Sequence, residues 1–141
     1  MTVPARLSFA TIGAADVAAL RAFYSSLWPE ATAAPDGSFV AYHLGGSVLG
    51  VYAIEQLAGD SGGDFDGRGG FELAINVDQR EQVDAVLDEV GAAGASYVQP
   101  AEDAFWGGRV GHFRDPEGNR WEVAWNPAMT FDATGAVTAF G

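Results

Sequence analysis

Two glutamates and a histidine hold most of the chemistry this sequence can offer. Glu122 lies in the run Trp121–Trp125, His112 in Arg109–Arg114 and Glu72 in Phe71–Val77, each an alternating stretch of the kind that forms strands. If Glu122 faces one side, Ala124 shares it, while Trp121, Val123 and Trp125 share the other. The same rule groups Val110, His112 and Arg114, and sets Glu72, Ala74 and Asn76 against Leu73, Ile75 and Val77. Carboxylates with an imidazole can hold a divalent cation, move protons as an acid–base pair, or attract a cationic ligand. Burying an unpaired carboxylate is expensive, so Glu122 reads as lining a cavity rather than as a strand carboxylate satisfied by arginine or backbone donors. Glu72, at a strand end, fits an exposed position as well as a site. His112 fits a metal ligand, a proton shuttle or a hydrogen-bonded interior residue. His43, in the apolar run Phe39–Leu44, reads as structural.

Other chemistries find little support. The sequence has no cysteine, so thiolate metal sites, disulfides and cysteine nucleophiles are absent, and no Ser-His-Asp grouping stands out. Gly59–Gly70 holds six glycines and three aspartates, but Gly62 and Leu73 would fill the first and twelfth positions of a calcium loop. That segment reads as a flexible linker. A net charge of −12, from 19 acidic residues against seven arginines, disfavours nucleic acid and anionic membranes as partners and favours solubility. No apolar run approaches the roughly 20 residues of a membrane helix. The opening MTVPARLSFA lacks the apolar stretch of a signal peptide, so the cytoplasm is the default expectation.

The elements that must position these residues come in two similar sets. Arg6–Ile12 predicts a strand, Asp16 an N-cap, and Val17, Leu20, Tyr24 and Leu27 one apolar helix face that Pro29 ends. Glu30–Ala34, Ser38–Leu44 and Ser47–Ala53 then predict three strands, with turns at Pro35-Asp36-Gly37 and Gly45-Gly46. The second set begins with Phe71–Val77. Asp78 with Glu81 predicts a capping box, Val83, Val86, Leu87 and Val90 a helix stripe, and Gly94 its C-terminal cap. Ser96–Gln99, ended by Pro100, precedes the hairpin Arg109–Arg114 and Trp121–Trp125 around Asp115-Pro116-Glu117-Gly118. An internal repeat of this kind is stronger evidence of fold than any single motif. The expected class is α+β, one domain of two βαβββ modules: module one 5–58, linker 59–70, module two 71–127. The tail, 128–141, packs as an extension or frays.

The stretch His112–Pro127 resembles the closing hairpin of the glyoxalase, bleomycin-resistance and extradiol-dioxygenase proteins, the vicinal oxygen chelate superfamily. Asp16 with Ala22-Phe23-Tyr24 is similar to that superfamily's first helix, and Asp78–Gly94 to its second. Phe105-Trp106-Gly107-Gly108 resembles a glyoxalase-like subgroup without an assigned reaction. The resemblance implies sheets that curl around a central cavity, where enzymes of the superfamily hold one divalent metal through the first and last strand of each module. Carried over, those four positions are Phe9, Gly50, Glu72 and Glu122. Phe and Gly side chains donate no electron pair, so half the shell is missing where a catalytic site commonly needs three protein ligands.

The resemblance also implies that His112 faces the cavity beside Glu122. Trp106, flanked by glycines, either stacks a planar ligand at the rim or covers the core edge. The expected ligand-binding set is Phe9, Gly50, Glu72, Trp106, His112 and Glu122, with Glu122 and His112 as catalytic candidates. The leading expectation is a metal-independent binding protein rather than an enzyme, holding a planar neutral or cationic molecule. The alternatives are a lyase, isomerase or dioxygenase with a weakly held divalent metal on Glu72, Glu122 and His112, or a cofactor-free enzyme using Glu122 and His112. A homodimer is expected, because relatives complete their cavities with a second chain.

Overall fold

A computed structural model of the chain describes residues 5–61, 63 and 71–139. Module one runs β1 (Phe9–Ala14), α1 (Val17–Leu27), β2 (Thr32–Ala33), β3 (Phe39–Leu44) and β4 (Ser47–Ala53). Module two, after helix α2 (Ile54–Ser61), runs β5 (Leu73–Asn76), α3 (Gln82–Ala93), β6 (Tyr97–Asp103), β7 (Arg109–Arg114) and β8 (Arg120–Trp125). Strands β9 (Thr130–Phe131) and β10 (Val137–Ala139) close the chain. The sheets repeat one topology, β1-β4-β3-β2 and β5-β8-β7-β6, with the first strand parallel to the last in each. The α+β, two-module expectation is met. The two sheets remain separate and form no closed barrel within the chain.

Each sheet buries one face, as alternation requires. Ile12, Val40, Tyr42, Leu49 and Val51 of sheet one, and Phe113, Trp121 and Val123 of sheet two, form one core with Leu20, Phe23 and Tyr24 of α1 and Val83, Leu87 and Val90 of α3. Aromatic rings bridge the modules: Tyr24 and Trp28 lie about the indole of Trp121, at centroid distances of 6.1 and 6.0 Å. Buried Trp121 and Val123 of β8 leave Glu122 on the opposite face, and Phe113 does the same for His112.

Helix α1 begins where expected, with the Asp16 carboxylate accepting from Ala19 N–H. Helix α3 does not use the Asp78–Glu81 box. The side chain of Gln82 accepts from Gln79 N–H instead, so the reciprocal contact forms one residue later and the helix starts at Gln82. Its end matches the expectation: Gly94 has φ 112°, and Ala95 N–H reaches back to Val90 O in a Schellman closure. Pro100 does not end its strand. β6 is an edge strand whose register shifts between Gln99 and Glu102, and proline is tolerated at such a bulge. β1 starts later than the expected Arg6–Ile12 and runs on to Ala14, paired with Ala53 of β4, while β5 is shorter than the expected Phe71–Val77. β2 shrinks to Thr32–Ala33.

Two segments read from composition are more ordered than composition suggests. Ile54–Ser61 is helical, with Ala58 buried and Ile54 and Leu57 near Gly13, so packing on β1 outweighs the poor helix propensity of Gly59. The remainder of the expected linker, 62 and 64–70, lies outside the described residues apart from Gly63. The tail forms a β9–β10 hairpin, and its Gly135 lies against Gly45 of the β3–β4 turn. No helix among the described residues is long and apolar enough to cross a membrane.

Candidate functional site

The uncovered face of sheet two assembles the site. Strands β7 and β8 pair so that His112 lies directly opposite Glu122, and on the other side of Glu122 stands Ala74 of β5. Alanine is too short to fill that position. Glu72, two residues before Ala74 and just ahead of β5, approaches the histidine from across β8. His112 Nε2 is 3.7 Å from Glu72 Oε2 and 3.8 Å from Glu122 Oε2. These separations exceed a direct hydrogen bond and leave room for a bridging atom. All three offer a donor atom, the donors lying within 4.8 Å of one another.

Two donors that share a metal at about 2.1 Å each cannot lie further apart than about 4.2 Å. The two histidine distances satisfy that bound, so the trio fits three ligands of a divalent ion with small side-chain adjustments. The same carboxylates can attract an organic cation or, with the imidazole, exchange protons. The three side chains are only partly exposed, at 35% for His112, 40% for Glu72 and 32% for Glu122, so water still reaches them and screens their charges in part.

Beside the trio runs an open groove of about 220 Å³, lined by Glu72, Tyr97, Gln99, His112, Arg114 and Arg120 among others. A pocket that engulfs a drug-sized molecule commonly exceeds about 300 Å³. This groove accommodates a small ligand or one side of a larger one.

The other expected ligand-binding residues lie elsewhere. Phe9 and Gly50 belong to sheet one, and neither lines the groove. Phe9 is 52% exposed, whereas Gly50 is buried against the Phe39 ring and Thr11. Phe9 and Gly50 offer no metal donor, so of the four positions carried over from the resemblance only Glu72 and Glu122 bring donor atoms to the trio. Trp106 sits in the β6–β7 connection, at the opposite end of β7 from the β7–β8 turn, with its ring folded against Gly108. It does not line the groove. His43, expected to be structural, is exposed on β3.

Sequence reasoning overlooked Tyr97, Gln99, Arg114 and Arg120 as groove residues. Alternation contained the signal for both arginines, since Arg114 is two residues from His112 and Arg120 two from Glu122. It also treated Asp115 as a turn residue only. Asp115 is fully buried and accepts from Tyr24 Oη at 2.7 Å, from the N–H of Glu117 and Asn119, and from Asn119 Nδ2. Burial, reinforced by Asp115, pushes the Tyr24 hydroxyl far above the ordinary tyrosine range. It therefore remains a donor to Asp115 while accepting from Trp121 Nε1. Glu117 in the same turn accepts from Ala15 and Asp16 N–H at 2.9 Å each. The β7–β8 turn thus anchors both the site strands and the start of α1.

The model of the Glyoxalase/Bleomycin resistance protein/Dioxygenase superfamily matches residues 6–123. Among solved structures, a glyoxalase-related enzyme from Fulvimarina pelagi is 30% identical, with 96% of this chain and 98% of that one covered and a TM-score of 0.88. A glyoxalase/bleomycin resistance protein/dioxygenase family enzyme from Burkholderia phytofirmans PsJN is 28% identical over 86% of this chain and 98% of that one, with a TM-score of 0.69. Lactoylglutathione lyase from Agrobacterium tumefaciens, at 20% identity, TM-score 0.69 and coverage of 86% and 94%, shares the fold alone. No curated protein matches the chain.

Proposed function

Because the chain belongs to the glyoxalase/bleomycin resistance protein/dioxygenase superfamily, we propose that it is a cytoplasmic small-molecule-binding protein of that type, working without a tightly held metal. One observation carries the reading. The polar groups of the site come from sheet two alone, while the corresponding positions of sheet one are Phe9 and Gly50. That asymmetry suits a ligand held on the carboxylate-rich sheet two of one chain and covered by the aromatic and small surface that sheet one of a second chain would bring. Glu72 and Glu122 favour a planar neutral or cationic molecule, and the net charge of −12 biases encounter the same way. A panel of aromatic ligands matched in size but differing in charge, read by tryptophan fluorescence, tests this. Cationic members should bind more tightly than anionic ones, and Glu122→Gln should weaken the cations most. Tighter binding of the plain anions would overturn it.

A second reading rests on the trio itself. Glu72, His112 and Glu122 fit three ligands of a divalent ion, and the Fulvimarina relative is described as an enzyme. A bound ion would supply Lewis-acid polarisation of a ligand oxygen. With Glu72, His112 and Glu122 holding the ion, the groove beside them would orient that oxygen. Elemental analysis of protein purified without chelators separates the readings: we expect well under one Zn, Fe, Ni or Mn per chain. Close to one per chain, lost in Glu122→Gln, would establish the metal reading instead.

A further inference from the structure

We propose that Arg114 and Arg120 form a subsite for an oxyanion, a carboxylate or a phosphate, carried by the ligand whose other end addresses Glu72, His112 and Glu122. The proposal rests on the reading of that groove as a ligand site and extends it to the substituents the ligand bears.

Arg114 and Arg120 face each other directly across β7 and β8, and both line the groove. Like charges in directly opposed strand positions repel, so this pairing costs stability unless something of opposite charge relieves it. In a chain with 19 acidic residues, relief is easy to find, and other arginines find it. Arg21 pairs with Glu30, Arg80 with Asp103, and Arg109 with both Asp84 and Asp103. Among the described residues, no carboxylate lies within ion-pair reach of Arg114 or Arg120, although Glu72 lines the same groove.

The pair is also partly held in place. The Arg114 guanidinium lies 5.4 Å from the centroid of the Tyr97 ring, a cation–π contact that restricts it without using its N–H donors. Gln99, opposite His112 on β6, adds an amide at the centre of the groove. The groove is therefore bipolar: two guanidiniums near the β7–β8 turn, and the His112 imidazole and Glu72 carboxylate at the other end, with Glu122 beside them on β8. Two planar forks side by side suit an oxyanion better than any other group, because carboxylate and phosphate oxygens accept paired N–H bonds. A ligand that matches both ends has an oxyanion and a cationic or hydrogen-bonding group, and as a zwitterion it is neutral overall.

The test uses full-length, 15N-labelled protein at constant ionic strength. Inorganic phosphate probes the phosphate source, and benzoate against benzamide probes the carboxylate source. The Nε–Hε signals of Arg114 and Arg120 should shift together along one saturable curve with phosphate, benzoate or both, but not with benzamide. The signal of Arg21, already paired with Glu30, should stay still. Arg114→Gln/Arg120→Gln should weaken anion binding at least about tenfold, the worth of one lost charge-assisted hydrogen bond. Unsaturable shifts, equal shifts at Arg21, or unchanged anion binding by the double variant would overturn the proposal. The charge-matched panel with Glu122→Gln is read separately. If it succeeds while phosphate and benzoate fail, only the arginine subsite falls; if it fails while they bind, the subsite stands without the carboxylate-end reading.

Discussion

Asp115 shows how one buried residue can join two modules whose sheets never pair. Its oxygens satisfy the Tyr24 hydroxyl, two backbone N–H groups and the Asn119 amide, and the Tyr24 oxygen in turn accepts the Trp121 indole N–H. Removing the carboxyl leaves several buried donors unpaired at once, and each orphaned donor costs about 1–3 kcal/mol. Asp115→Ala should therefore lower unfolding free energy by roughly 3–5 kcal/mol in urea titration, a cost typical of breaking a buried charged network. Tyr24→Phe, which deletes one hydroxyl, should cost about 1–2 kcal/mol. Equal, small losses in both would show that the network is not a stabilising junction. The turn itself was legible from Asp115-Pro116-Glu117-Gly118. Burial of Asp115 was not, because its partner Tyr24 is 91 positions away in sequence.

At the scale of elements, helix α1 leaves the core through a charged clamp. After Pro29 turns the chain, Glu30 accepts from Arg21 Nε and Nη2 and from Ser25 Oγ. The Arg21 hydrogen bonds, with help from Ser25, lower the Glu30 carboxyl to about 2. A depressed folded-state value means that the clamp stabilises the fold above the ordinary glutamate range, near 4.5, and weakens as pH falls toward about 2. Carboxyl-detected NMR titration should find Glu30 titrating well below the other glutamates, and Arg21→Gln should return it most of the way to 4.5. A Glu30 midpoint indifferent to Arg21→Gln would refute the clamp. Helix α1 was readable because its cap and apolar spacing are local signals. Helix α2 was hidden because glycine-rich composition disguised a segment held by contacts with β1. The continuation of β6 through Pro100 was hidden for a related reason: whether proline ends a strand depends on whether that strand lies at a sheet edge.

For the whole molecule, we propose a homodimer. The groove is smaller than an enclosing ligand pocket, and Phe9, at 52% exposed, stands on a sheet that contributes nothing to it within one chain. Tyr97, at 50% exposed, lines the groove on sheet two. A second copy that lays its sheet one over this sheet two would bring Phe9 and Gly50 opposite Glu72, His112 and Glu122 and complete the cavity. Sedimentation at tens of micromolar protein should give the mass of two chains, and Phe9→Asp should shift it toward one. A monomeric mass for the unaltered chain would sink the proposal.

The sequence by itself determined the repeated module, the faces of its strands and helices, and the presence of Glu72, His112 and Glu122 on one side of sheet two. Those properties follow from period-two and period-3.6 alternation and from caps, which act between residues close in the chain. Only the tertiary structure decided which candidates meet. Cross-strand register set His112 against Glu122 and Arg114 against Arg120, while separation of the sheets kept Phe9 and Gly50 from the groove. Register and sheet placement are settled by long-range packing of α1 and α3 and by the Tyr24–Asp115 junction. Local patterns record which face a side chain takes, but not which distant side chain lies beside it.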